Sequence, residues 1–183
     1  LKNVQQLTFG GDNAEAYWSF DSKKLVFQAS NVWDLKCDQI FTMNITDDLS
    51  KGAKPQLVST GTGRTTCSYF LPGDSTIVYS STHLVSVDCP TVPKKEDYGN
   101  KYIWPVYESY DIFTADTKGK QLKQLTFEAG YDAEPTVSPK GDKIVFTSTR
   151  TGDLELFTMN LDGSDVKQVT FELGYDGGAF FSP

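Results

Sequence analysis

Residues 124–171 read QLTFEAGYDAEPTVSPKGDKIVFTSTRTGDLELFTMNLDGSDVKQVTF, a line of short apolar runs parted by turn residues. Thr136–Ser138 is a short first run. Pro139, Lys140 and Gly141 follow it and suit a tight turn, because proline presets φ and glycine accepts a positive one. Ile144–Thr147 is β-branched and aromatic, a composition that packs well on a pleated surface. After the break at Thr149–Asp153 comes a third run, Leu154–Met159, and after Asp162-Gly163-Ser164 a fourth, Val166–Phe171. Four short strands joined by hairpins, with no room for a helix, predict one antiparallel sheet.

The unit recurs. Gln168-Val169-Thr170-Phe171 repeats Gln124-Leu125-Thr126-Phe127 at an interval of 44 residues, and Gly174-Tyr175-Asp176 repeats Gly130-Tyr131-Asp132 at the same interval. Upstream, Gln6-Leu7-Thr8-Phe9 opens another copy, Leu25-Val26-Phe27 stands for Ile144-Val145-Phe146, and Gln39–Asn44 nearly duplicates Glu155–Asn160. A period of this length in four-stranded units is expected of β-propeller blades. The predicted fold is therefore all-β, a propeller of four-stranded antiparallel blades with about three and a third blades present. Residues 1–9 are expected to be the outer strand of a preceding blade, 10–59 one blade, 60–127 a second, 128–171 the most regular one and 172–183 the start of a further blade. An open stack would expose strand edges and apolar blade faces, so remaining blades or neighbouring chains are expected to cover the ends.

The second blade carries a long insertion, 83–109, in which Pro90, Pro93, Lys94 and Lys95 precede Tyr98, Tyr102, Trp104 and Tyr107. Long loops inside compact domains are commonly functional, and aromatic residues are depleted from disordered segments. Strands alternate in direction. The second hairpin of each blade and the link into the next therefore fall at one rim, which gathers the insertion with Cys37, Gly61–Arg64, Gly130–Glu134 and Gly174–Gly178.

The chain has 183 residues, 38% of them hydrophobic and 13% aromatic, with a net charge of −7. No Lys/Arg cluster lies on any candidate strand face, which argues against nucleic acid and anionic membrane surfaces as partners. No apolar run approaches a membrane span. Leu1 is not a start methionine and no leader pattern follows it, as expected of a processed or trimmed chain.

The pattern of a QLT start, Ser138-Pro139-Lys140-Gly141 leading to Ile144-Val145-Phe146, Thr147-Ser148-Thr149-Arg150 and a strand closing on Met159-Asn160-Leu161-Asp162-Gly163-Ser164 resembles the TolB-like, WD-like β-propeller repeat of exported bacterial proteins. The first blade departs from it at Phe20-Asp21-Ser22 and Asn31–Asp34. The second departs through its insertion and the loss of a threonine after Leu57. The resemblance implies a six- or seven-bladed ring located in the periplasm or outside the cell. It implies little about activity, because such repeats serve both as docking scaffolds in the cell envelope and in front of peptidase domains.

Three cysteines, Cys37, Cys67 and Cys89, fall near the expected rim, and in an exported chain a disulfide is the first expectation. Cys67 with Cys89 is favoured and Cys37 with Cys89 is the alternative; a metal site from these thiols and His83 lacks any C-x-x-C spacing. His83 is the sole histidine, yet no G-x-S-x-G elbow occurs and Ser80 and Ser81 lie too close along the strand to be presented to it well, so no catalytic residue is assigned. Tyr131, Asp132, Glu134, Tyr175 and Asp176 suggest an acidic, aromatic channel mouth attractive to cations or a basic peptide, although tight blade links need similar residues for structural reasons. Arg64 is either an exception among them or their ion-pair partner. The expected function is a non-enzymatic, exported scaffold. It would bind a protein or peptide partner in the cell envelope, without cofactor, through Tyr98, Tyr102, Trp104 and Tyr107. The alternative is the accessory propeller of a peptidase or other hydrolase whose catalytic domain lies outside these residues. Sugar binding is a third possibility.

Overall fold

A computed structural model describes residues 2–99 and 101–183. Leu1, the first residue of the expected outer strand, and Asn100, within the insertion, lie outside the described residues. The chain forms three four-stranded antiparallel sheets in sequence order. The first contains β1 (Asp12–Trp18), β2 (Lys24–Ser30), β3 (Gln39–Asn44) and β4 (Gln56–Leu57); the second contains β5 (Thr65–Phe70), β6 (Thr76–Ser81), β7 (Asp111–Asp116) and β8 (Lys123–Gln124). The third contains β9 (Asp132–Val137), β10 (Lys143–Ser148), β11 (Glu155–Asn160) and β12 (Lys167–Gln168). Two single 3-10 turns, Leu49–Lys51 and Lys95–Tyr98, are the only helical segments among the described residues. No helix there is long and apolar enough to cross a membrane.

The sheets meet face to face, and the apolar runs explain why. Val26, Ile40 and Val58 of the first sheet pack on Phe70, Ile77, Tyr79 and Phe113 of the second. On the other face of that second sheet, Val78, Ile112 and Leu125 pack on Val137, Ile144, Phe146, Phe157 and Met159 of the third. The second sheet is covered on both faces, so its strand β6 has no polar side to show and is a continuous buried run rather than an alternating one. Gly141, at the tip of the third blade's first hairpin, has φ +69°, and a Cβ there would collide with the Pro72 ring of the neighbouring blade. Only glycine satisfies both demands.

The QLT signature has a structural cause. The Thr126 hydroxyl accepts from the Ile112 amide at 2.9 Å and donates towards Asp111, and Thr170 does the same between the Leu156 amide and Glu155. Each threonine ends a blade by satisfying the first free amide of the third strand. The first blade does not lack this device. Ser59 accepts from the Ile40 amide at 2.9 Å and donates to Gln39 at 2.7 Å, one position later than the QLT spacing suggests.

Two strand boundaries differ from expectation. The fourth strand is Lys167–Gln168 and not Val166–Phe171, because Val169 and Thr170 turn their bonds onto Leu156. The inner strand of the third blade begins at Asp132, so Asp132, Ala133 and Glu134 belong to the sheet and not to the linking loop. Residues 2–9 form no strand; Leu7 lies against the outer apolar face of the first sheet, beside Leu25, Phe27 and Met43.

Candidate functional site

The first strand of each sheet carries a bulge, and the extra residue is Glu15 in β1, Cys67 in β5 and Glu134 in β9. All three have left-handed backbones, with φ of +52°, +44° and +59°, and Gly178 takes the corresponding place after the third blade with +61°. A non-glycine residue adopts this conformation only where its surroundings impose it. Here the bulge swings one side chain per blade towards the axis, and the four residues line one cavity of about 210 Å³ together with Tyr17, Trp104, Tyr175 and Phe180.

Glu134 is spoken for within the protein. Its carboxylate accepts from Thr147 Oγ1 at 2.6 Å, from the Tyr175 hydroxyl at 2.9 Å and from the Gly178 amide at 2.7 Å. It thereby ties the third blade to the segment that follows it. Glu15 accepts only from the Tyr17 hydroxyl, at 2.6 Å, and is exposed. The Cys67 thiol is pushed up to about 12 by burial, so it stays protonated and is a poor nucleophile.

A second cavity, of about 170 Å³, shares Trp104, Glu15 and Cys67 with the first. Tyr131 and Tyr110 form its buried base, their rings edge to face with centroids 5.7 Å apart. Tyr107 stands 6.1 Å from Tyr110, its hydroxyl donating to the Thr91 carbonyl at 3.1 Å. Burial raises the pKa of both Tyr110 and Tyr131, so both are neutral phenols. Arg64 lines the same cavity and pairs with Asp38 at 2.9 Å.

The expected acidic mouth is thereby redrawn. Arg64 is not the partner of Asp132, Glu134 or Asp176. Asp132 is buried and meets Arg150 at 2.9 and 3.0 Å, and the guanidinium lies about 5 Å over the rings of Phe146 and Phe157. Burial raises the Asp132 pKa and Arg150 works against it. Asp176 contributes its amide, which donates to the Leu154 carbonyl. Among the expected binding residues, Arg64, Trp104, Tyr107 and Tyr131 line one cavity, and Trp104, Glu134 and Tyr175 line its neighbour. Tyr98 and Tyr102 lie outside both and are exposed, Tyr102 by 80%.

The disulfide joins Cys37 to Cys89, with Cα atoms 5.7 Å apart, and Cys67 is free. The favoured Cys67–Cys89 pairing is excluded because Cys67 is the bulge residue on the axis. The first part of the insertion runs back over the junction with the first blade, where the Gly63 amide donates to the Val87 carbonyl at 2.9 Å. With two thiols consumed, the cysteine–histidine metal set does not exist, and no group of three such ligands occurs among the described residues. Ser81 does meet His83, Oγ to Nδ1 at 2.9 Å, although their spacing argued against it. The imidazole packs on Phe113 at 4.5 Å, its Nε2 is buried without a partner, and burial lowers its pKa. The pair ties the residues at and just past the end of β6 together.

Glu15, Asp38 and Tyr110 were not among the sequence candidates. Glu15 was within reach, since Ala14-Glu15 and Ala133-Glu134 are the same dipeptide at equivalent blade positions. Nothing in the spacing marks Asp38 or Tyr110.

Three face-packed four-stranded antiparallel sheets arranged around a common channel make this a β-propeller. The repeat is TolB-like: residues 106–183 match the family model described as the TolB beta propeller domain. Among solved structures the chain is similar to putative TolB from Agrobacterium tumefaciens, at 20% identity and a TM-score of 0.58, covering 86% of this chain and 46% of that one. It is similar to TolB from Acinetobacter baumannii at 17% identity and a TM-score of 0.63, covering 91% and 34%. A puromycin-hydrolyzing peptidase of Mycobacterium tuberculosis matches at 13% identity and a TM-score of 0.59, covering 93% and 24%. The chain thus spans less than half the length of each. No curated protein sequence matches it.

Proposed function

We propose that this chain is part of an exported, non-enzymatic propeller scaffold that captures a protein or peptide partner through the rim bearing Tyr98, Tyr102, Trp104 and Tyr107. What carries this is the insertion: Tyr98, Tyr102 and Trp104 are each more than half exposed, on a loop that the Cys37–Cys89 disulfide fixes to the neighbouring blade. Aromatic side chains on a held loop bind with little loss of conformational entropy and commonly dominate interface energy. A disulfide also suits the periplasm or the extracellular space. Further blades or a neighbouring copy complete the ring over the outer face of the third blade, where Val169, Phe171 and Leu173 are exposed.

Replacing Tyr98, Tyr102 and Trp104 by alanine tests the proposal. Wild-type chain immobilised over an envelope extract of its source cells retains a partner; the triple variant, melting at an unchanged temperature, loses it. Equal retention by both ends the proposal. Because the peptidase propeller matches the fold about as well as the TolB proteins do, an accessory role in a hydrolase is the second reading. It predicts that any retained protein, or the remainder of the polypeptide, hydrolyses peptide substrates.

A further inference from the structure

The cavity beneath Trp104 has the composition of a cage and not of a simple gap between blades. Trp104, Tyr107, Tyr110 and Tyr131 supply four aromatic rings, and Glu15 and Asp38 supply two carboxylates. Tyr110 is 4% exposed and Tyr131 2%, so their rings form a buried, rigid wall to the space. The space, about 170 Å³, is several times the ~30 Å³ share of one water.

Charge selects the class of occupant. Arg64 pairs with Asp38 at 2.9 Å through one terminal nitrogen, its Nε buried without a partner, whereas Glu15 pairs with no cation among the described residues and has one oxygen accepting from Tyr17. An anion would meet Glu15 and the electron-rich ring faces. A sugar would stack on Trp104 but leave Glu15 without a countercharge. A positively charged group satisfies both the rings and the carboxylate. We propose that this cavity binds an organic ammonium group, the head of a small quaternary amine or the cationic end of a partner chain, held over Trp104, Tyr107, Tyr110 and Tyr131 with Glu15 as its counterion.

The proposal deepens the rim function, because it names the chemical group that Trp104 and Tyr107 would receive, but a small probe tests it without a partner. Choline and its neutral isostere, 3,3-dimethylbutan-1-ol, are titrated separately into the chain. The Trp104 indole resonance, assigned with a Trp104→Phe variant, is followed by NMR. Choline is expected to bind roughly tenfold or more tightly than the isostere, the ratio that cation–π contact plus a carboxylate supplies. Glu15→Gln, an exposed and conservative change, should lower choline affinity about tenfold while leaving the isostere unaffected. Tyr131→Phe keeps the aromatic ring and should weaken choline less than Glu15→Gln does.

Equal binding of choline and the isostere overturns the proposal, as does indifference of choline affinity to Glu15→Gln. An indole that responds to monosaccharides and not to choline overturns it in favour of a sugar. If choline fails while the Tyr98, Tyr102, Trp104 triple variant still loses its partner, the cage is wrong and rim capture stands. If choline binds and the triple variant keeps its partner, the cage stands alone.

Discussion

Asp111 occupies the start of β7 and accepts from Gln124 Nε2 at 3.0 Å and from the Thr126 hydroxyl at 3.4 Å. Its carboxyl is pushed up to about 6, first because burial disfavours the charge and then because Asp132 lies close by. The folded protein therefore holds this proton more tightly than the unfolded chain does. The stability it contributes is fully present below the ordinary carboxylate pKa of about 4 and is lost as pH rises through about 6. Asp111→Asn makes the group permanently neutral while keeping an acceptor for Gln124 or Thr126. The variant should melt with wild type at pH 4 and above it at pH 7.5, and thermal melts across that range decide the matter. A variant that melts below wild type at pH 7.5 would show that the charged carboxylate is the stabilising form. At this scale the sequence was legible where a residue recurs at the repeat interval, as Thr126 and Thr170 do, even though the amides they satisfy lie 14 residues away on the adjacent strand. It was not legible where two side chains meet across the fold: the Arg64–Asp38 and Arg150–Asp132 pairs each join residues on different strands or loops, which a one-dimensional spacing does not bring together.

Among the elements, the inner strands show most clearly what a pattern conceals. Asp132-Ala133-Glu134 reads as a polar link between blades, and propensity places it in a loop. In the structure it is strand, because Arg150 neutralises Asp132 and Thr147, Tyr175 and Gly178 satisfy Glu134. Tertiary partners overrode local preference. The insertion was legible as an aromatic loop, but its path was not, since three cysteines allow three pairings and spacing does not choose among them. The observed Cys37–Cys89 bond closes a separation of 52 residues. By the chain-entropy account, such a loop is worth up to about 4 kcal/mol against the unfolded chain. Cys89→Ser should therefore lower stability to denaturant by no more than about this amount. It should also loosen the crossing specifically: amide exchange at Gly63, which donates to Val87, should quicken more than exchange at Ile112 in the middle of β7's sheet. Uniform quickening at both amides would mean that the bond braces the whole sheet and not the insertion alone.

Across the whole molecule, the fold was legible because a propeller repeats its information: the same apolar runs at a common interval specify the same sheet three times over. What surrounds the axis was less so, since each blade contributes one bulge residue, and the three present, Glu15, Cys67 and Glu134, differ in chemistry. The two apolar clusters between blades share the second sheet, one on each face. Apart from the first sheet, whose outer face carries a cluster of its own around Leu25, Phe27, Phe41 and Met43, each blade is held by its neighbours, as in other repeat architectures. Coupling should then be visible when one contact is thinned. Ile144 is fully buried in the cluster it shares with Val78, Ile112 and Leu125 of the second sheet. Ile144→Ala removes three carbons from that junction and should cost about 2–5 kcal/mol. In a chain of this size that lowers Tm by on the order of 5–15 °C. If the blades stand or fall together, the variant shows one transition, and amide exchange quickens in the second sheet as well as in the third. A variant in which the third sheet melts in a separate, earlier step, with Ile112 and Ile40 protected as in wild type, would mean that the blades are stacked but independent.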